Sequence, residues 1–303
     1  MLKRIKGIIF PALFFFSVLL LAEGVINARR GGDFLGNLTI VSEEGFDSGI
    51  AETAAGGGGE ESPSDGEEPQ EDSFTFAAWT EFGNEPVSDG FSKKACSADV
   101  TAICGPSYCL LPFGKSLSPQ DTEGCIIGRE MAEKLFGSHM AEGREVVWRD
   151  RKWTVRGVVE EPGDLLMLQA SGMEEITFHK ISISLDGAYD RRLTGEKFAS
   201  RYGVLARPLR FDYLYGIAWL KEMVPDKWSD FGGWKENFKE YRETARYVQN
   251  AGKSTIEAAG MKYKTKGGRY ILCGVLCLLA LPTVFPCKRQ RKQVSQTGTS
   301  MLK

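Results

Sequence analysis

The stretch "EKLFGSHMAEGREVVWRDRKWTVRGVV", residues 133–159, has the clearest structural pattern in the chain. Its first residues complete a segment, 129–136, in which apolar side chains such as Met131 and Leu135 recur four positions apart. That spacing places them on one face of a helix. Gly137 follows, and glycine readily adopts the left-handed conformation found at many helix ends. The first part of the stretch therefore predicts a short helix that ends at Gly137.

The rest of the stretch predicts a β-hairpin. Residues 145–148 and 152–159 alternate or run apolar, as strands do, and a charged turn separates them. Arg149, Arg151 and Lys152 would form a basic tip that a partner could contact, although a solvated turn is the commoner explanation for such charges. The helix and the hairpin together predict a scaffold, since no residue in them is arranged as an acid, base or nucleophile in a pocket.

Two uncharged apolar runs lie near the ends of the 303-residue chain. The first, "GIIFPALFFFSVLLLA", follows three basic residues and predicts a transmembrane helix at 7–28, with a secretory signal peptide as the alternative. The second, "YILCGVLCLLALPTVFPC", has no polar face and predicts a transmembrane helix at 269–287. Because the first helix usually sets the orientation, its basic flank predicts a cytoplasmic N-terminus at 1–6 and a basic cytoplasmic tail at 288–303.

The residues between the two runs are therefore expected outside the cytoplasm, in a protein that crosses the plasma membrane twice. Residues 43–72 hold eleven Asp or Glu and no Lys or Arg, within a Gly- and Ser-rich segment. Such a composition cannot bury enough apolar surface to offset the entropy lost on ordering. A disordered acidic linker is thus predicted at 29–73. From 74 to 266, strand-like and helix-like segments predict an ordered α+β domain.

Four cysteines, Cys96, Cys104, Cys109 and Cys125, lie in the predicted exported domain. Disulfides persist in such compartments, and four cysteines allow three pairings. Cys104 and Cys109 flank a Gly-Pro turn and could close a short loop. We therefore expect at least one disulfide among the four.

Nothing in the sequence predicts catalysis. "AGKST" at 251–255 resembles the end of a phosphate-binding loop, but Tyr247 stands where that loop needs glycine, and a helix precedes it. The only two histidines, His139 and His179, lie in segments without the elbow motif of serine hydrolases. The net charge of −2 gives no overall attraction to nucleic acid. We therefore expect no enzymatic activity, no catalytic, cofactor-binding or metal-binding residue, no cofactor and no nucleic-acid partner.

Aromatic residues cluster at the start of a long helix predicted at 233–250. Trp228, Phe231, Trp234 and Phe238 recur at spacings of three, three and four. Such spacing is typical of a helix that packs into a core. The sequence predicts this core role, and an exposed aromatic binding platform is the alternative.

The segment 125–160 resembles the MacB-like periplasmic core domain of ABC-transporter permeases. The family pattern is a strand leading into a short helix that ends in A-x-x-L-F-G, a loop glycine, a hairpin and V-x-G-V-V. Here residues 132–137, Gly143 and residues 155–159 match that pattern. "WTEF" near the start of the domain also fits, and the resemblance covers about residues 74–200.

The resemblance implies a MacB periplasmic-core-like α+β domain between two transmembrane helices. It implies a component or relative of a MacB/FtsX-type transporter, acting by contacts with permease or ATP-binding subunits and with the lipid bilayer. Such permeases usually carry three more spans after the domain, whereas one apolar run follows here. Gly267 and Gly268 before that run suggest a hinge, which favours recruitment of a partner over force transmission. The alternative class is an envelope ligand-binding or sensor protein, which a pocket lined by Trp228 and Trp234 would favour.

Overall fold

The computed structural model describes residues 2–56, 74–92, 94–160, 162–171, 173, 176–185, 191–204, 207–209, 211–215 and 223–284. They belong to two compact units. One runs from Ala28 to Thr265, and the other combines the residues before Ala28 with those after Thr265. The basic tail predicted at 288–303 lies outside the described residues.

The described chain contains seven α-helices, a 3₁₀ turn and nine strands. The helices are α1 (Leu2–Phe34), α2 (Ser48–Ala55), α3 (Arg129–Phe136), α4 (Arg191–Tyr202), α5 (Asp212–Tyr215), α6 (Phe231–Ala251) and α7 (Thr255–Val284), and the 3₁₀ turn is Ser107–Cys109. The strands are β1 (Leu38–Val41), β2 (Phe76–Asp89), β3 (Ala95–Cys104), β4 (Gly124–Gly128), β5 (Glu145–Trp148), β6 (Arg151–Val159), β7 (Leu165–Gln169), β8 (Lys180–Ile183) and β9 (Arg207–Leu209).

All nine strands belong to one mixed sheet, in the order β3-β7-β4-β6-β5-β2-β8-β1-β9. The long strand β2 also pairs with β3, so six of the strands close a hydrogen-bonded ring. Two pairs, β3 with β7 and β4 with β6, are parallel, and the others are antiparallel. A mixed sheet covered by helices is the α+β architecture that the sequence predicts.

Side chains of the sheet alternate between two buried clusters because successive strand residues point to opposite faces. Phe76 and Ala78 of β2 face a first cluster, which helices α2, α3 and α4 cover. Ala77 and Trp79 face a second cluster, which the segment after the 3₁₀ turn and Ile256 of α7 cover. The sheet is therefore buried on both faces, and α7 begins against the second one.

The helix and hairpin predicted at 129–159 are confirmed. Helix α3 ends at Gly137, which has a φ of 70°. Strands β5 and β6 pair directly, and the two residues between them, Arg149 and Asp150, have φ values of 48° and 59°. Two consecutive positive φ values belong to the tight turn that matches the twist of a two-residue hairpin.

The predicted linker is wrong for residues 29–56. Strand β1 inserts between β8 and β9, and its Leu38 and Ile40 are buried. Helix α2 contributes the buried Ala51 and Ala54 to the first cluster. The segment is acidic overall, and its short apolar run "LTIV" pairs with strand residues more than a hundred positions away. The composition of the segment therefore does not predict this strand. The rest of the predicted linker, 57–73, lies outside the described residues.

No disulfide joins the four cysteines of the domain, so the expected pairing is wrong. Cys104 faces the first cluster and Cys109 the second, which puts the sheet between them. The Cys104 thiol instead donates to the carbonyl of Ala51 at 3.0 Å. Burial raises the pKa of the Cys104 and Cys125 thiols, so both thiols resist ionisation.

One helix in the described part of the chain, Pro11–Phe34, is long and apolar enough to cross a membrane by length and composition. A signal sequence meets the same criterion, so both interpretations of the first run stay open. The second predicted span lies largely within α7, which is described to Val284. It stays a prediction.

The unit that contains residues before Ala28 and after Thr265 is held by close helix packing at glycines. A Cβ atom on Gly24 would lie 2.7 Å from Cγ1 of Ile271 and 3.1 Å from the carbonyl oxygen of Gly267. A Cβ atom on Gly274 would lie 2.7 Å from Cγ of Leu21. Small residues at such contacts let two helices approach closely. Gly267 and Gly268, where a hinge is expected, lie within helix α7.

We expect Leu21→Cys and Gly274→Cys to form a disulfide readily on mild oxidation, in a background with Cys273 and Cys277 replaced by serine. Cγ of Leu21 occupies nearly the position that a bonded sulfur would need. The measurement is the mobility of the full-length protein on non-reducing gels after proteolysis between the two sites. The matched control, Leu21→Cys with Val275→Cys, should stay uncrosslinked because Val275 lies about 100° further around the helix. Cleavage of the first run as a signal peptide would remove residue 21 and abolish the crosslinked product.

Candidate functional site: the polar joint at the start of helix α7

Three strands and the first turn of α7 contribute polar side chains to one largely buried cluster, here called the α7 joint. Glu81 comes from β2, Asp99 from β3 and Lys180 from β8. The chain before and within the first turn of α7 supplies the remaining members: Ser254, Thr255 and Glu257. The members come from four separate parts of the chain, so only folding brings them together.

A capping box starts helix α7. The Ser254 hydroxyl donates to Oε2 of Glu257 at 2.7 Å and accepts from the Glu257 backbone N–H at 3.3 Å. The Ser254 backbone N–H points back to the same carboxylate oxygen at 3.4 Å. Serine followed three positions later by glutamate is a sequence signature of a helix N-terminus. This signature overlaps the end of "AGKST", the segment that resembles part of a phosphate-binding loop.

The sheet satisfies the next free donor of the helix. The backbone N–H of Thr255 donates to both carboxylate oxygens of Glu81, at 2.8 and 3.0 Å. The Thr255 hydroxyl donates to Oδ2 of Asp99 at 2.5 Å. The first N–H groups of a helix have no partner within the helix and favour negative charge. The two strand carboxylates therefore fix the start of α7 on the sheet.

An ion pair between Lys180 and Glu257 completes the joint. Their side chains are only 14% and 5% exposed. The Lys180 ammonium also lies 4.7 Å from the ring centroid of Trp79, whose indole N–H donates to Ser182 at 2.9 Å. The second carboxylate oxygen of Glu257 is buried and has no hydrogen-bond partner among the described residues. Removing either side chain of this pair would therefore leave the other charge buried without a counter-charge, which is strongly destabilising.

The α7 joint also shifts the pKa of Glu81. Burial raises the pKa of Glu81 above its ordinary value of 4.5, against the lowering effect of its hydrogen bonds from Thr255. A raised pKa means that the folded state holds the proton more tightly than the unfolded chain does. The stability that protonation of Glu81 contributes is thus fully present below pH 4.5 and is lost as the pH rises through the folded-state pKa.

We expect Glu81→Gln to be more stable than the wild type at neutral pH, because glutamine keeps an oxygen acceptor for Thr255 and carries no charge to bury. The difference should narrow as the pH falls through the raised folded-state pKa of Glu81 and should be smallest below 4.5, the ordinary value for this carboxyl. Glu81→Ala, the matched variant without an acceptor, should lose about 1–3 kcal/mol of unfolding free energy. Unfolding of the full-length protein in detergent, followed from pH 4 to 8, measures both, and a pH-independent difference would contradict the assignment.

The predicted basic tip of the hairpin is occupied by contacts within the domain. The Arg149 guanidinium lies 4.5 Å from the ring centroids of both Phe82 and Trp148. Arg151 stacks 4.3 Å over Trp153 and donates to a backbone carbonyl, and Lys152 pairs with Glu145 at 2.8 Å. The tip therefore stabilises the hairpin.

The aromatic cluster lies on the surface, so the predicted core role is wrong. Trp228 is 76% exposed, Phe231 81% and Phe238 49%. Trp234 packs against Trp228, with ring centroids 5.4 Å apart. Helix α6 does run from Phe231 to Ala251, close to the predicted bounds, but Val248 is its one buried residue. Helical spacing identifies an apolar face but does not say whether another element covers it.

The two histidines are not brought together with other ligand side chains. His179 Nδ1 lies 3.3 Å from the carbonyl oxygen of Ser42, and His139 sits in the loop after α3. Within the described ranges, no group of three or more His, Cys, Asp or Glu side chains could hold a metal ion. The polar groups of the α7 joint are paired with one another across the contact between helix and sheet, which suits them to hold the two elements together.

Comparison with known proteins gives similarity at the level of structure. No family model matches the sequence, and no curated protein does. The periplasmic region of MacB from Actinobacillus actinomycetemcomitans matches 60% of this chain and 92% of its own, at 14% identity and a TM-score of 0.43. The extracellular domain of YknZ, a noncanonic ABC-type transporter from Gram-positive bacteria, matches 57% and 96%, at 16% identity and a TM-score of 0.38.

Proposed function

We propose that this protein is a membrane-anchored extracytoplasmic component, or relative, of a MacB/FtsX-type transporter that couples contacts on its domain to helix α7. The observation that carries the proposal is the α7 joint. Carboxylates of two strands and the lysine of a third bind the first turn of a helix that continues to Val284. A displacement of the sheet would therefore be felt at the first turn of this helix, which is what a coupling role requires.

The plasma membrane, with the central domain outside the cytoplasm, is the proposed location. Support comes from the first apolar helix and from the side chains of α7 after residue 269. Leu272, Leu276 and Leu279 are all exposed, which suits a helix face that contacts lipid. The proposed partners are permease or ATP-binding subunits and the bilayer itself, and we propose no enzymatic activity for the chain alone.

The test is affinity capture of the full-length protein from crosslinked membranes, followed by identification of subunits that bind ATP. We expect an ATP-binding-cassette subunit to co-purify with the wild type. Thr255→Val with Glu81→Ala, which removes the hydroxyl contact and the acceptor of the Thr255 backbone N–H, should keep this capture. It should lower the ATPase activity of the captured complex, because the domain would be less firmly coupled to α7.

The control for that experiment is Arg149→Glu with Arg151→Glu at the hairpin. Since both arginines contact their own domain, we expect this pair to lower stability and to leave capture by the folded fraction unchanged. Failure to capture any ATP-binding or permease subunit with the wild type would contradict the transporter role. Equal ATPase activity with the joint variant would contradict the coupling role alone.

A ligand-binding or sensor role is the second candidate, and one cavity favours it. A cavity of about 550 Å³ is lined by Arg30, Phe34, Phe113 and Tyr263, among others. That volume suits a small ligand, and the lining combines aromatic walls with one cation and the carboxylate of Glu160. It is lined by neither Trp228 nor Trp234. Native mass spectrometry of the detergent-purified protein tests this candidate. A ligand-binding role requires a small molecule that stays bound to the wild type and is lost from Phe113→Trp, in which the larger side chain fills the cavity.

A further inference from the structure

Helix α6 and the turn before it present an unusual surface. Trp228, Phe231, Trp234 and Phe238, here called the aromatic face, lie at the N-terminal end of the helix, with Trp228 and Phe231 more than three-quarters exposed. The other end of α6 is anchored, because Val248 is fully buried with Leu35, Leu209 and Phe211. The helix thus packs on the domain by its last turns and exposes its aromatic residues at the opposite end.

Basic residues line one side of this face. Lys235, Lys239, Arg242 and Arg246, here called the basic row, recur at spacings of four, three and four and are all exposed. Since each residue turns the helix by about 100°, Lys235 lies on the side next to Trp234, and Arg242 lies on the side next to Tyr241. In the part of the chain that the structure describes, one ion pair involves the row, between Lys239 and Glu243 at 3.9 Å. The row is therefore available to an external anion.

Acidic residues lie on the other side of the helix. Glu236 and Glu243 are seven positions apart and fall roughly opposite Trp234 on the helical wheel, by the 3.6-residue repeat. Around the helix the order is therefore aromatic, basic and acidic. Helices that lie in a membrane interface show this arrangement, with aromatic residues in the boundary region, cations on the lipid phosphates and anions toward water. A buried protein contact would not require cations and anions to be sorted in this way.

We propose that the aromatic face and the basic row bind the surface of a bilayer that contains anionic phospholipid. The proposal goes beyond the transporter role and does not depend on it. Helix α6 has 21 residues and a length of about 31 Å, at 1.5 Å per residue. Phe231 and Val248 are 17 residues apart, which is about 26 Å along the helix, so the aromatic face stands clear of the anchored end of α6.

The test uses the full-length protein in nanodiscs, with phosphatidylcholine brominated on its acyl chains as the quencher of tryptophan fluorescence. We expect more quenching in the wild type than in Trp228→Phe with Trp234→Phe. The excess should grow when phosphatidylglycerol is added and shrink at high salt, which screens exposed charges. Phe231→Trp, at an 81% exposed position, should add a further quenched component. Near-ultraviolet circular dichroism verifies the fold of each variant.

Matched charge variants distinguish an effect of the basic row from an effect of any change in charge on α6. Lys235→Gln with Arg242→Gln should lose the part of the quenching that depends on phosphatidylglycerol. Glu236→Gln with Glu243→Gln, on the opposite side, should keep it. Equal quenching in the wild type and the double tryptophan variant would overturn the proposal. A second outcome would also overturn it: the wild type forms a chemically crosslinked dimer, the aromatic variants do not, and lipid quenches neither. The surface would then bind a second copy of the chain.

Discussion

Glu257→Ala is expected to lower the unfolding free energy of the domain by about 3–5 kcal/mol, as does the removal of one partner from other buried ion pairs. The change leaves the Lys180 ammonium buried without a counter-charge and removes the carboxylate that accepts a hydrogen bond from the Ser254 hydroxyl. Helix α7 would lose both its capping box and its ion pair with the sheet. The measurement is chemical denaturation of the full-length protein in detergent, followed by near-ultraviolet circular dichroism.

Two controls accompany this variant. Glu243→Ala removes the carboxylate of an exposed pair on α6, with side chains 78% and 62% exposed, and should change stability by less than about 1 kcal/mol. Lys180→Met with Glu257→Leu replaces both partners by apolar side chains and should recover much of the loss, because no charge stays buried. An effect of Glu257→Ala as small as that of Glu243→Ala would show that the joint does not stabilise the domain.

Gly128→Val is expected to prevent normal folding or to remove more than about 4 kcal/mol of stability. A Cβ atom at Gly128 would lie 1.8 Å from the carbonyl oxygen of Gly163 and 2.7 Å from that of Pro162. Its φ of −72° suits any residue, so the conflict comes from the close approach of the backbone and not from strain. Since β4 ends and α3 begins at this position, a shift here would disturb both elements.

The control for Gly128 is Gly49→Ala in helix α2, where nothing lies within 4 Å of the added Cβ atom. That substitution should be neutral or stabilise the protein by up to about 1 kcal/mol, because alanine costs less entropy in a helix. Soluble yield and denaturation of both variants provide the measurement, with Gly128→Ala as the milder member of the series. A normally folded and equally stable Gly128→Val protein would contradict the observed contact between β4 and the loop before β7.

Local patterns decided the elements that the sequence predicts well. The helix and hairpin at 129–159 follow from spacing, a C-terminal glycine and a two-residue turn, all of which act between near neighbours. The long helix α6 was likewise predicted from the recurrence of its apolar residues. The capping box at Ser254 and Glu257 was equally local and could have been found by its spacing alone.

The sequence by itself determined where the helices and most strands form, because hydrogen bonding within a helix or a tight hairpin depends on residues close in the chain. Only the tertiary structure decided that β1 belongs to the sheet, that the aromatic face stays exposed, and that Glu81, Asp99 and Lys180 meet the start of α7. These outcomes depend on contacts between residues as many as about 170 positions apart. Whether a face is covered, or a charge finds its partner, is a property of the packed elements and is not encoded in the spacing of any one of them.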